Sequence, residues 1–98
     1  MNLYAFDCDS TLDRSNGAIP LSFLDNLRQR GHIVCIVSPS PNCHGLPYEY
    51  FISGPDRLSN LKKAKEAHPD CTFYYYFTDN AGEENLAVPS GFIVVKLA

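Results

Sequence analysis

Ninety-eight residues with a mass of 10.9 kDa can support one core and no more, since a chain of this size buries only about 60–70% of its unfolded surface; residues 1–98 therefore read as a single domain. Apolar residues make up 45% and charged residues 19%, which excludes a disordered chain, and no apolar run approaches the roughly 20 residues that a membrane-crossing helix needs. A net charge of −3 and a pI near 5.4 speak against a dedicated nucleic-acid binder, which carries a basic face, and Met1 to Asp7 has no basic n-region or cleavage site, which points to the cytoplasm.

Leu3 to Phe6 is a short apolar run that ends abruptly in acids, the pattern of a first strand with a polar exit. Cys8 to Pro20 is polar and turn-rich, with a tight-turn signal at Asn16-Gly17. Leu21, Leu24 and Leu27 fall at helical spacing, between Pro20 where a helix can start and Gly31 where one can stop. His32 to Val37 is a β-branched run suited to a strand buried on both faces, and proline-rich Ser38 to Pro47 is a loop. Tyr48 to Ile52 reads as a third, amphipathic strand near an edge. Pro55 to Ala67 carries a stripe of Leu58, Leu61, Ala64 and Ala67, with lysines opposite. Thr72 to Phe77 and Gly91 to Leu97 complete five strands. The alternation predicts an α/β, three-layer, Rossmann-like fold with about five parallel strands flanked by helices.

In such sheets ligands bind beyond the carboxyl ends of the strands, where this chain places Asp7, Asp9, Ser38, Asp79 and Glu83. The segment Asp7-Cys8-Asp9-Ser10-Thr11 leaves the first strand with two carboxylates two residues apart. One acid could attack phosphorus while the other carries a proton to the leaving oxygen. Turn and cap preferences of Asp and Ser explain the same residues more simply one at a time, but not their arrival together at strand ends. The cysteines, Cys8, Cys35, Cys43 and Cys71, form no C-x-x-C pair and no context here supports a disulfide framework; Cys8 and Cys35, at or beside apolar runs, read as reduced, partly buried thiols. Cys35, Cys43 and His44 match no zinc spacing and lack a fourth ligand.

These strand-end acids resemble the haloacid dehalogenase superfamily of phosphohydrolases over nearly the whole chain. The resemblance implies an Mg²⁺-dependent phosphatase working through an aspartyl-phosphate. Asp7 matches the nucleophile, and Asp9 the general acid/base whose backbone carbonyl also binds Mg²⁺. Thr11, Ser38 and Arg57 take the phosphoryl-holding positions, and Asp7, Asp9, Asp79 and Glu83 the metal positions. The departures from the family pattern are Arg57 where a lysine is usual, Thr78 where a glycine is usual, and Pro39, which has no N–H to offer a phosphoryl oxygen. Lys62 is the fallback for Arg57. The intervals 12–37 and 39–56 leave no room for a cap domain, which by resemblance to capless members implies an open site and either a bulky phosphorylated substrate (protein, nucleic-acid end or glycan) or a lid supplied by another subunit.

Two other classes compete. The first is a catalytically retired domain of the same fold that binds a metal or a protein. The second is a phospho-acceptor receiver domain, using Asp7, Asp9, Asp56, Thr78 and Lys96. A shortage of helices also leaves an apolar face on which a second copy could sit, making a homo-oligomer.

Overall fold

The computed structural model describes residues 1–97 and shows a five-stranded parallel sheet in the order β3-β2-β1-β4-β5. The strands are β1 (Leu3–Phe6), β2 (Ile33–Ile36), β3 (Glu49–Tyr50), β4 (Tyr74–Thr78) and β5 (Ile93–Lys96), and the helices are α1 (Leu21–Gln29), α2 (Arg57–Ala67) and α3 (Ala87–Ser90). The α/β, Rossmann-like architecture predicted from the alternating pattern is present. Among the described residues no helix is long and apolar enough to cross a membrane.

Side chains along each strand alternate between the two faces of the sheet. Leu3, Ala5, Cys35, Val37, Tyr74 and Tyr76 form one core with Leu61 and Ala64 of α2. Phe6, Val34 and Ile36 form the other with Leu24 and Leu27 of α1. The sheet thus lies between helices, in three layers. On the α1 face only part of the sheet is covered: Ile93 of β5, in register with Tyr75, remains 46% exposed.

The element ends follow local chemistry. Helix α1 begins after Pro20, and Gly31 takes the left-handed conformation beyond its end, with φ at 87°. Helix α2 begins at Arg57, two residues later than its apolar stripe predicts, because Asp56 caps it: the carboxylate accepts from the Ser59 amide at 2.8 Å. Strand β3 lies at the edge as expected but keeps only two residues, since the chain turns away through Gly54-Pro55, where Pro55 has no N–H for a ladder. An element that the sequence did not announce runs from a 3₁₀ segment, Ala81–Leu86, into α3, despite Pro89. Pro89 stands in the first turn of α3, where a missing N–H breaks no bond within that helix, so proline costs it little there.

Two expectations are corrected. Receiver domains share the strand order 2-1-3-4-5, whereas here β1 lies between β2 and β4 and β3 is at the edge, so the receiver reading is excluded. Asp56 is a helix cap, not a phospho-acceptor at a strand end. Cys8 and Cys43 are not free thiols: they form a disulfide, Cα atoms 6.1 Å apart, which also removes Cys43 from any zinc set. Cys35, buried, and Cys71, half-buried, remain free.

Candidate active site

The chain runs outward from β1 to β2 and β3, then returns to place β4 on the other side of β1. That reversal makes a crevice beyond the carboxyl ends of β1 and β4, the position at which open α/β sheets bind ligands. Asp7 follows β1 directly, its amide bonded to the Phe77 carbonyl of β4, and Thr78 and Asp79 sit opposite on β4 and its exit. Asp7 is 8% exposed. Its Oδ1 accepts from the Cys8 amide at 2.8 Å and meets the Arg57 guanidinium at 3.2 Å, while Oδ2 has one long contact, 3.4 Å from the Thr78 hydroxyl. Burial pushes the Asp7 carboxyl above the ordinary carboxylate range, with Arg57 pulling against it.

Arg57 is the centre of the cluster. It is the first residue of α2, set there by the Asp56 cap, and its side chain reaches the carboxyl ends of β1 and β4. Its guanidinium pairs with Asp7 and, at 3.3 Å, with Glu83, and it donates to the Tyr76 hydroxyl. Tyr76 in turn donates to Glu83 at 3.0 Å, and the Thr78 hydroxyl donates to Glu83 at 2.6 Å. Glu83 is therefore spent on Arg57, Tyr76 and Thr78. The threonine that stands where the family pattern has glycine ties Glu83 down beside Asp7.

The remaining predicted residues fall in three places. Thr11 is fully buried and donates to Asp79 Oδ1 at 3.1 Å, so it orients Asp79 and does not face the opening. Ser38 is 2% exposed at the end of β2; its hydroxyl accepts from the Ser40 amide at 3.2 Å, so the first N–H beyond Pro39 turns back onto Ser38. Asp9 is exposed and lies apart from the Arg57 cluster. Its Oδ1 accepts from the Ser15 hydroxyl and from Asn42 Nδ2, the latter at 2.8 Å. These bonds, from Ser15 first, then Asn42 and Ser40, hold the Asp9 carboxyl below the usual carboxylate range. Lys62 is exposed on the outer side of α2 and takes no part.

Tyr76, Ser15 and Asn42 were not among the predicted site residues. The alternation along β4 puts Tyr76 in the α2-side core, as its place in an aromatic run implies, but only the tertiary structure shows that its hydroxyl emerges at Arg57. Nothing local to Ser15 or Asn42 signals a contact with Asp9.

Among the described residues no three His, Cys, Asp or Glu side chains are gathered as a metal cage. The oxygen set is still one that a hard cation accepts. Mg²⁺ is commonly held by one or two carboxylates plus waters and substrate phosphate, and Asp7 and Asp79, on neighbouring strand exits, supply two carboxylates. A cleft of about 190 Å³ opens beside Arg57 and Glu83, lined also by Pro39, Ile52 and Asn60. Ile52 also lines a second groove of about 310 Å³, together with His44, Leu46, Tyr48 and Tyr50. No family model, curated protein or solved structure matches this chain.

Proposed function

We propose that this chain is a capless phosphohydrolase of the haloacid dehalogenase type, cleaving a phosphoester through an aspartyl-phosphate. The observation that carries the reading is Asp7 at the topological reversal of the sheet, with one carboxylate oxygen held by Arg57 and the Cys8 amide and the other left nearly free. In the proposed reaction Asp7 Oδ2 attacks phosphorus in line, and the bond to the ester oxygen breaks. That oxygen takes a proton from Asp9, whose carboxyl must first leave Ser15 and Asn42 and take up that proton. Water then attacks the phosphorus, gives its proton to Asp9 and releases inorganic phosphate from Asp7. Arg57 and Ser38 are the cation and hydroxyl assigned to the phosphoryl oxygens.

Asp7, Asp79 and the backbone carbonyl of Asp9 would hold Mg²⁺, with Glu83 a ligand only if it leaves Arg57. When bound, the ion neutralises phosphoryl charge. The second groove, which shares Ile52 with the cleft beside Arg57, supports a bulky leaving group with an apolar or aromatic part. The reading carries with it a phosphorylated substrate met in the cytoplasm.

Phosphate release from a panel of phosphoesters, with Mg²⁺ and with chelator, tests this. Metal-dependent release by the wild type that disappears in Asp7→Asn is the expected result. The second reading, a retired site that binds metal or a protein, has specific support: Arg57 already bridges Asp7 and Glu83, and Pro39 removes a donor. Release from no ester by the wild type, together with retained Mg²⁺ binding, would decide for that second reading.

A further inference from the structure

Cys8 stands between the two acids of the site, and its sulfur is bonded to Cys43, 35 residues away. The bond joins the Asp7–Thr11 loop to the loop after β2, at the 3₁₀ turn Pro41–Cys43. The residue before Cys43 is Asn42, whose side-chain amide reaches Asp9 at 2.8 Å and Ser15 at 3.3 Å. The same turn is further tied by Arg14 Nε to the Asn42 carbonyl at 3.1 Å and by the Tyr50 hydroxyl to the Ser40 carbonyl.

Apart from Cys43 the turn is held by hydrogen bonds at its surface and not by buried apolar contact. Pro41, Asn42, His44 and Gly45 are exposed, Gly45 has φ at 87°, and Cys43 alone is buried, by its partner and the α1-side core. A segment with few buried apolar contacts opens at small free-energy cost. Both cysteines are fully buried when the turn is closed, so a reductant reaches the bond only through that opening. A disulfide in a reducing compartment is most often a transient, redox-sensing one.

We propose that the Cys8–Cys43 bond is a redox clamp on Asp9. Closed, it holds Asn42 on the Asp9 carboxylate and keeps that acid on partners separate from those of Asp7; opened, it releases residues 41–47 and frees Asp9. The opening step is thiol–disulfide exchange with a dithiol. One thiolate of the dithiol attacks the Cys43 sulfur, the Cys8–Cys43 bond breaks and Cys8 leaves as thiolate. The second thiol of the dithiol then displaces Cys43, so two electrons and two protons pass to the cysteines and the dithiol departs as its own disulfide. A small disulfide oxidant reverses it. The clamp itself does not depend on the phosphohydrolase reading; its consequence for turnover does.

The test uses the full chain equilibrated with oxidised or reduced dithiothreitol. Alkylation and intact mass count the free thiols, and hydrogen exchange follows the segment 41–47 at its amides, those of residues 42–46, since Pro41 and Pro47 have none. Two cysteines protected in the oxidised form, and exchange at 41–47 faster by about tenfold or more after reduction with β1 and β4 unchanged, is the expected result. Cys43→Ser should show the fast exchange under both conditions. Turnover should differ several-fold between the redox forms of the wild type, and Asn42→Ala, which keeps the disulfide, should remove that difference. Free Cys8 and Cys43 in the oxidised sample, or equal exchange at 41–47 in both forms, would overturn the clamp. Altered exchange with equal turnover overturns its action on Asp9. Absence of turnover in both forms counts against the phosphohydrolase reading, and the exchange comparison still decides the clamp.

Discussion

Asp7 is held where its charge is unfavourable. Its carboxyl is raised by burial in spite of Arg57, so the folded protein binds the proton more tightly than the unfolded chain does. A group shifted in this direction favours the folded state below its unfolded value, and that advantage is lost as pH rises through the folded value. Once ionised, Asp7 is therefore a net cost to the fold. Asp7→Asn should remove turnover and also raise the thermal midpoint at pH 7, a gain that shrinks towards pH ~4, where the unfolded carboxyl is itself protonated. Calorimetry of both proteins at the two pH values checks this. Asp9 shows the opposite shift, because neutral donors favour its charged form. Asn42→Ala should move the Asp9 carboxyl upward, read by carboxyl-carbon NMR titration of the metal-free protein. Asp7, Asp9 and Asp79 were legible from sequence because each follows an apolar strand directly. Their partners were not: Arg57 to Tyr76 and Asp9 to Asn42 are contacts across 19 and 33 residues, which no local pattern encodes.

At the scale of elements, helix and strand positions were read well where periodicity was long and poorly where single side chains set the ends. Helix α2 is started by one capping bond, from Asp56, and begins with the arginine that meets Asp7. Asp56→Ala should cost about 1 kcal/mol, or roughly 4–8 °C in a domain of this size. It should also lower phosphate release more than that loss of stability explains, because Arg57 loses its fixed origin; kinetics well below the new midpoint separate the two effects. The turn before α1 is equally exacting. A Cβ at Gly17 would lie 2.0 Å from the Thr11 carbonyl carbon, so Gly17→Ala must displace the backbone that aims Thr11 at Asp79. The expected outcome is a lower thermal midpoint and weaker Mg²⁺ binding, the latter measured by titration calorimetry.

For the whole molecule, the disulfide is the largest departure from the sequence reading. Cysteine spacing can reveal a pair only when the pattern is local, and Cys8 and Cys43 are brought together by the pairing of β1 with β2. Closing a loop of 35 residues restricts the unfolded chain by about 4 kcal/mol. That is a large fraction of the roughly 5–15 kcal/mol by which a domain is stable. Denaturant unfolding of Cys43→Ser should show a loss of this order relative to the oxidised wild type, and no loss relative to the reduced one. The strand order is the second global feature. It excludes the receiver reading and puts Asp7 and Asp79 on neighbouring exits, at the one place where the connections diverge.

The sequence by itself determined the α/β class, the parallel strands, the approximate span of both longer helices and the acids at the strand exits. All of these rest on short-range periodicity and on where an apolar run stops. Only the tertiary structure decided the order of the strands, the seat of Arg57 between Asp7 and Glu83, the separation of Asp9 from that cluster and the Cys8–Cys43 bond. Each of these depends on which distant segments share a surface, a choice made by the packing of two helices on opposite faces of one sheet.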